Sequence, residues 1–187
     1  MTDTKTMMRF YTIVDFEQEE AFLRQQHQQG WKLKNYIMPF WYRFERTEPE
    51  DVVYRLDYCD TASRGEDYYQ MFRDYGWEYM FCRCKWEYFR KPVIEMEKAE
   101  DSEIFSDSAS KLAMVERVIK QRFLPLLILF VTIVIPQFFM WNIGTPPVSS
   151  FERFFAVLWT LLLAVYIFLI SFIFWRYRKL KRKYQKF

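Results

Sequence analysis

The side chains that could do chemistry in this chain lie on short stretches crowded with aromatic residues. Cys82-Arg83-Cys84 has one residue between its thiols, a spacing that puts both sulfurs on the same side of a strand. His27 is the single histidine and falls on what the pattern reads as the polar face of a helix. A stable zinc site wants four ligands at wider spacing, so neither a metal nor a cofactor is expected. A cysteine–histidine nucleophile pair finds no better support, and neither a Gly-rich phosphate loop nor a standard catalytic motif occurs. What remains is a set of charged residues interleaved with rings: Arg9, Tyr11, Tyr36, Trp41, Arg43, Arg55, Asp57, Glu87 and Phe89. An acid beside aromatic faces suits a hydrophobic, cationic or aromatic small molecule. Exposed aromatic surface marks a ligand cleft or a partner site; core filling and contact with a membrane surface are the other uses of such rings.

The elements that must position these residues follow from periodicity and from breakers. Met7–Val14 reads as a strand, and Glu17–Gln29 as a helix with Asp15 and Gln18 in capping-box positions and Gly30 as its stop. Trp31–Ile37 and Phe40–Arg46 read as strands around Met38-Pro39. Val52–Tyr58 alternates as a half-buried strand does. Ser63 and Glu66 form a second capping pattern for a helix over Gly65–Tyr75, with an apolar stripe of Tyr68, Met71, Phe72 and Tyr75. Gly76 ends it, and strands follow over Trp77–Arg83 and Lys85–Lys91. Gly30-Trp31 and Gly76-Trp77 stand 46 residues apart, and the same offset pairs Phe10 with Leu56, Phe22 with Tyr68, and Tyr42 with Tyr88. This predicts a duplicated strand–helix–strand–strand domain over 1–94, with repeats at about 7–46 and 52–91. The two copies are expected to share one antiparallel sheet with helices on one face.

Beyond it, 95–108 reads as an acidic linker, with Ser106 or Ser108 capping the next helix. Residues 109–122 read as an amphipathic connector helix with Leu112, Val115, Val118 and Ile119 on one face. Two uncharged apolar runs come next, Phe123–Trp141 and Phe154–Trp175, each long enough to cross about 30 Å of hydrocarbon. They are expected to form a transmembrane hairpin over 123–143 and 154–175, with Pro125 marking a bend, Pro136 a kink and a Gly144, Pro146, Pro147 turn between them. The tail carries Arg176, Arg178, Lys179, Lys181, Arg182, Lys183 and Lys186 and no acid, whereas the loop at 144–153 carries one charge of each sign. Positive residues stay on the cytoplasmic side, which predicts both termini inside and the loop outside. The tail would also meet anionic lipid.

The 187 residues leave room for one small folded domain beside the hairpin. The net charge of +3 owes much to the tail, so the domain itself is mildly acidic and direct nucleic-acid binding is not expected. The N-terminus is polar and lacks the apolar core of a cleavable signal peptide. Three cysteines in a reducing compartment speak against a disulfide framework.

Glu19-Glu20…Gly30-Trp31-Lys32-Leu33, Tyr54-Arg55-Leu56-Asp57-Tyr58, Tyr75-Gly76-Trp77-Glu78-Tyr79, Trp86 to Pro92 and Glu103 to Asp107 together resemble a family of bacterial proteins catalogued as domain of unknown function 2812. The resemblance covers roughly 9–119. It implies a soluble domain joined to transmembrane helices and genes beside PadR-type regulators; it carries no catalytic residues across. In architecture alone the duplicated unit is similar to the effector-binding fold of gyrase-inhibitor-like and SOUL-like proteins, which hold ligands in a cleft. The expected function is a membrane-anchored, non-enzymatic sensor or adaptor that binds a ligand or a regulatory protein. The alternatives are an accessory subunit of a membrane complex docking through the hairpin and, last, an enzyme acting on a membrane substrate.

Overall fold

The computed structural model describes residues 3–12, 14–37, 40–59, 65–105, 108–143 and 149–184. Ser63, Met38-Pro39, Ser106, the Gly144-Pro146-Pro147 turn and Lys186 lie outside the described residues, so the expectations placed on them stop there. The chain forms two units, 1–117 and 118–187.

The first unit is α+β. Its elements run β1 (Thr4–Met8), α1 (Phe16–Gln28), β2 (Trp31–Ile37), β3 (Trp41–Arg46), β4 (Val52–Tyr58), α2 (Glu66–Asp74), β5 (Glu78–Arg83), β6 (Trp86–Pro92) and α3 (Ser108–Val118). The strands make two antiparallel three-stranded sheets, ordered β1-β3-β2 and β4-β6-β5, and not the single shared sheet expected from the sequence. One cause is visible on β4. The backbone N–H of Leu56 donates to Glu20 Oε1 at 2.9 Å, where the carbonyl of a further strand would otherwise be. A helix carboxylate thus satisfies a strand donor, and the two sheets are linked through α1.

Nor do the helices lie on one face. Phe22 of α1 sets its ring edge-on to Tyr42 and Phe44 of β3, while Phe16 of the same helix stacks on Trp86 of β6. So α1 lies between the sheets. Sheet β4-β6-β5 is covered again on its other side by α2, where Val53, Phe72, Trp77 and Phe89 form a core cluster. Every residue of β4 except Arg55 is therefore buried. The face of β1-β3-β2 turned away from α1 stays open: Thr4, Thr6, Met8, Trp41 and Arg43 are exposed.

Local chemistry corrects several sequence expectations. β1 ends at Met8 instead of running to Val14. Asp15 sits at the helix start, but its carboxylate accepts the Thr12 N–H and hydroxyl instead of capping α1. The stripe of α2 is Tyr68, Tyr69 and Phe72, while Met71 and Tyr75 are exposed. Cys84 and Lys85 form the turn between β5 and β6 with φ of 53° and 67°. Cys84 thus leaves the strand, so the alternation that would align its thiol with that of Cys82 is broken. The acidic stretch is not simply a solvated linker: Ile104 packs on the α2 core cluster, and Glu103 meets Arg55 at 3.0 Å and Lys111 at 3.0 Å. On α3, Met114 joins Val115 as a fully buried residue.

The second unit holds α4 (Leu124–Leu129), α5 (Ile135–Asn142) and α6 (Ser150–Tyr184). Five-residue π-helical turns, Ile119–Phe123 and Phe130–Val134, stand immediately before α4 and α5. Each is followed by a proline in the first turn of the next helix, Pro125 and Pro136. A proline removes one backbone donor and presses on the carbonyl four residues back; a widened turn relieves that crowding. Among the described residues, two helical runs, Ala109–Asn142 and Ser150–Tyr184, are long and apolar enough to cross a membrane. At 1.5 Å per residue, a run of 35 residues reaches roughly 50 Å, beyond the ~30 Å of hydrocarbon. The basic residues from Arg176 to Lys183 lie on the last turns of α6, and Arg176, Arg178 and Lys179 lie over the rings of Phe172, Phe174 and Trp175. Trp141 stacks on Phe155 and Phe130 on Tyr166, equal steps in opposite senses, so the two runs lie antiparallel along these contacts. Asn142 adds polar links, donating to the Ala156 carbonyl at 3.4 Å and accepting from Thr160 Oγ1 at 3.2 Å.

Gly30, which closes α1, has φ of +81°, and a Cβ there would stand 2.9 Å from the Thr47 carbonyl oxygen. Gly30→Ala is expected to destabilise the protein by about 1–3 kcal/mol, and Gly65→Ala, whose added carbon meets nothing within 4 Å, by less. Denaturant unfolding of the detergent-solubilised chain, followed by tryptophan emission, compares them.

Candidate functional site

Helix α1 buries an unusual set of side chains: Asp15 at its cap, then Glu19, Glu20, Gln26 and His27 beside Phe16, Phe22 and Leu23. At roughly 100° per residue, Phe16, Glu20, Leu23 and His27 share one face, the one turned to β4 and β6. Phe22 and Gln26 lie about a quarter-turn away, toward β1 and β3. Glu19 falls between these two directions. Its position on the helix gives it access to both sheets.

Its bonding matches. Glu19 Oε1 accepts the hydroxyl of Tyr42, on β3, at 2.8 Å and that of Tyr88, on β6, at 2.6 Å. One carboxylate oxygen therefore ties the two sheets together. Around it stand more rings: Tyr36 is 4.9 Å and Tyr11 6.2 Å from the Tyr42 ring, and Phe81 is 4.9 Å from that of Tyr88. Burial holds the Glu19 carboxyl above its usual range, against the pull of the two tyrosine bonds. Burial, and then the adjoining Glu19 charge, push the Tyr42 and Tyr88 hydroxyls up, so both remain donors.

Glu20 and His27 complete the helix. Glu20 takes the Leu56 N–H and lies 3.3 Å from Arg55. Burial raises its carboxyl to about 7 despite the opposing charges of Arg55 and Lys111. Arg55 in turn meets Glu103, which meets Lys111, so a chain of alternating charge runs from α1 through β4 to α3. His27 is buried, not on a polar face: Nδ1 stands 2.8 Å from the Tyr54 hydroxyl, whose oxygen accepts the Leu33 N–H at 3.4 Å. Tyr54 thus has its hydrogen free for Nδ1, and burial, with Arg90 and Lys32 nearby, lowers the imidazole to about 4.

The expected site residues divide. Tyr11 and Tyr36 come together around Glu19. Arg55 serves the Glu20 side of the helix. Trp41 and Arg43 are on the open face of β1-β3-β2, and Arg9 lies beyond β1 with its guanidinium over the Phe22 ring. Asp57, Glu87 and Phe89 belong elsewhere. Asp57 accepts the Tyr68 hydroxyl at 2.6 Å and Glu87 the Tyr69 hydroxyl at 2.7 Å, which fastens α2 to its sheet. Phe89 is fully buried under that helix. These three do not line an open aromatic face, because α2 covers it. Sequence reasoning missed Glu19, Glu20, Tyr42 and Tyr88 as site residues. The signal was the spacing of Phe16, Glu20, Leu23 and His27, which puts polar residues on the face that leucine must bury. Among the described residues, no cluster of three or more His, Cys, Asp or Glu side chains is placed to hold a metal.

An α+β unit built around a charged buried helix, followed by two helices compatible with a two-span membrane protein, is the class these features define. Residues 15–129 match the family model described as "Protein of unknown function (DUF2812)", and the chain belongs to that family. The match takes in α1, both sheets except β1, and the chain through α4. No curated protein and no solved structure matches the chain.

Glu20 and His27 make opposed contributions to the pH dependence of stability. Glu20 holds its proton more tightly folded than unfolded, so stability falls as pH rises from about 4.5 to about 7. His27 holds its proton less tightly folded, so stability rises with pH from about 4 to about 6.5. Glu20→Gln is expected to steepen the rise below pH 6.5, and His27→Gln to expose the fall. Thermal unfolding of detergent-solubilised protein across pH 4–8 reads both slopes.

Proposed function

We propose that this protein is a membrane-anchored, non-enzymatic sensor whose first unit binds a hydrophobic cation at Glu19. The supporting observation is a buried carboxylate that takes one tyrosine hydroxyl from each sheet, within a group of further aromatic rings. A carboxylate among tyrosine faces offers a cation both a counter-charge and ring faces. A ligand that took the Glu19 charge would release the Tyr42 and Tyr88 bonds and so loosen the seam between the sheets. The strand–helix–strand–strand order, repeated with matching sheet order, supports reading the unit as a duplication.

On this reading the antiparallel apolar helices form a membrane hairpin. The cations at the end of α6 keep both termini on the cytoplasmic side. The charge chain Glu20–Arg55–Glu103–Lys111 gives a route from the helix that holds Glu19 to α3. What receives the change is a PadR-type regulator or a membrane complex.

Tetraphenylphosphonium titrated into full-length protein in detergent, followed by calorimetry, tests the reading. Binding by the native chain and a Kd at least about tenfold weaker in Glu19→Gln, equivalent to about 1.4 kcal/mol, are expected. Equal affinity in the variant, or none in the native chain, removes the support.

A further inference from the structure

The open face of sheet β1-β3-β2 has an ordered composition along its strands. At one end Glu45 of β3 pairs with Lys32 at 3.0 Å and Lys34 at 2.9 Å, so its charge is met within the sheet. One step along the same face, Arg43 stands between Thr6 and Asn35, neutral neighbours on both flanking strands. A further step brings a row of three apolar residues, Met8, Trp41 and Ile37, paired across all three strands. They are 62%, 42% and 44% exposed, and Phe10, just past β1, is 64% exposed with its ring against Phe40. Large apolar residues at such exposure, side by side and turned away from the core, mark a contact surface.

The occupant follows from that sequence of layers. Alternate residues on a strand are separated by roughly 7 Å. An apolar row, a cation 7 Å behind it and neutralised ion pairs beyond match the change from acyl boundary to phosphate to water over the ~5–10 Å depth to which interfacial elements bury themselves. Trp and Phe beside Arg are also among the residues favoured at that boundary. Tethering by the apolar helices makes the lipid surface an intramolecular partner, so a small patch suffices. We propose that this face docks on an anionic lipid surface, with Met8, Trp41 and Ile37 entering the headgroup–acyl boundary and Arg43 meeting lipid phosphate. The proposal depends on the membrane reading and is independent of any ligand at Glu19.

The test uses the full chain in lipid nanodiscs, with the exposed Cys82 and Cys84 changed to Ser and a fluorophore on Met8→Cys or, as a reference on the same face, Thr4→Cys. A nitroxide on the lipid chain is expected to quench the Met8 probe and spare the Thr4 probe, and a water-soluble nitroxide the reverse. Arg43→Glu is expected to reduce lipid quenching in discs containing phosphatidylglycerol and leave it unchanged in phosphatidylcholine alone. Trp41→Glu with Ile37→Glu should abolish it while the Thr4 probe, as a check on folding, is unaltered. A Met8 probe as open to the aqueous quencher as the Thr4 probe overturns the docking. So does a Met8 signal that follows the number of chains per disc instead of lipid composition, which assigns the row to a second copy. Extraction of the native chain from vesicles by alkaline carbonate would instead overturn the membrane reading on which the docking stands.

Discussion

Everything in the first unit depends on a helix that is buried on two sides while carrying charge. A helix between two sheets has little solvent-facing circumference, so Glu19, Glu20, Gln26 and His27 are drawn into the interior with Phe16 and Leu23. Each buried polar group must then find a partner, because leaving one without costs about 1–3 kcal/mol. Those partners are Tyr42, Tyr88, the Leu56 amide, Arg55, Tyr54 and, for Gln26, Lys5, five of them side chains on strands. The tyrosine content of this unit is in part the donor supply that the buried carboxylates require. Tyr68 and Tyr69 do the same for Asp57 and Glu87 on the far side of the second sheet.

The two sheets share strand number and order yet have different surroundings. The second is closed on both faces, which is why β4 is buried along its length except at Arg55, Asp57 included. The first is closed on one, and β3 alternates exposed and buried residues over Trp41–Phe44. Elements of similar sequence thus have different roles: the α2 face of one sheet is core, while the outward face of the other carries Trp41 and Arg43 into solvent.

Much of the element order was legible in the sequence because its signals are local. Gly30 and Gly76 end their helices with φ of 81° and 77°, and the alternation over Val52–Tyr58 marks a strand. The two apolar runs needed no context. Family membership was legible too, in stretches that include Glu19-Glu20. What failed was long-range. Nothing in a strand's own pattern says whether one helix or two will cover it, so Asp57, Glu87 and Phe89 looked like a free aromatic face. Hydropathy puts glutamates outside, which hid Glu19 and Glu20 even though their spacing matches that of Leu23. The Cys84-Lys85 turn lacks the glycine or asparagine that usually announces positive φ, so the sequence puts Lys85 in a strand and gives Cys84 the side-chain alternation of one.

The π turns ahead of Pro125 and Pro136 have a mechanical consequence. Each holds slightly more chain than an α-helical turn of the same rise, so each stores about one residue of slack. If one tightened to α-helical winding, everything beyond it would swivel by roughly 100° about the helix axis. Phe130, Gln137 and Trp141 all lie beyond the first such turn, so a change too small to unwind the helix would be enough to re-aim the side chains that contact α6 or decorate its neighbour.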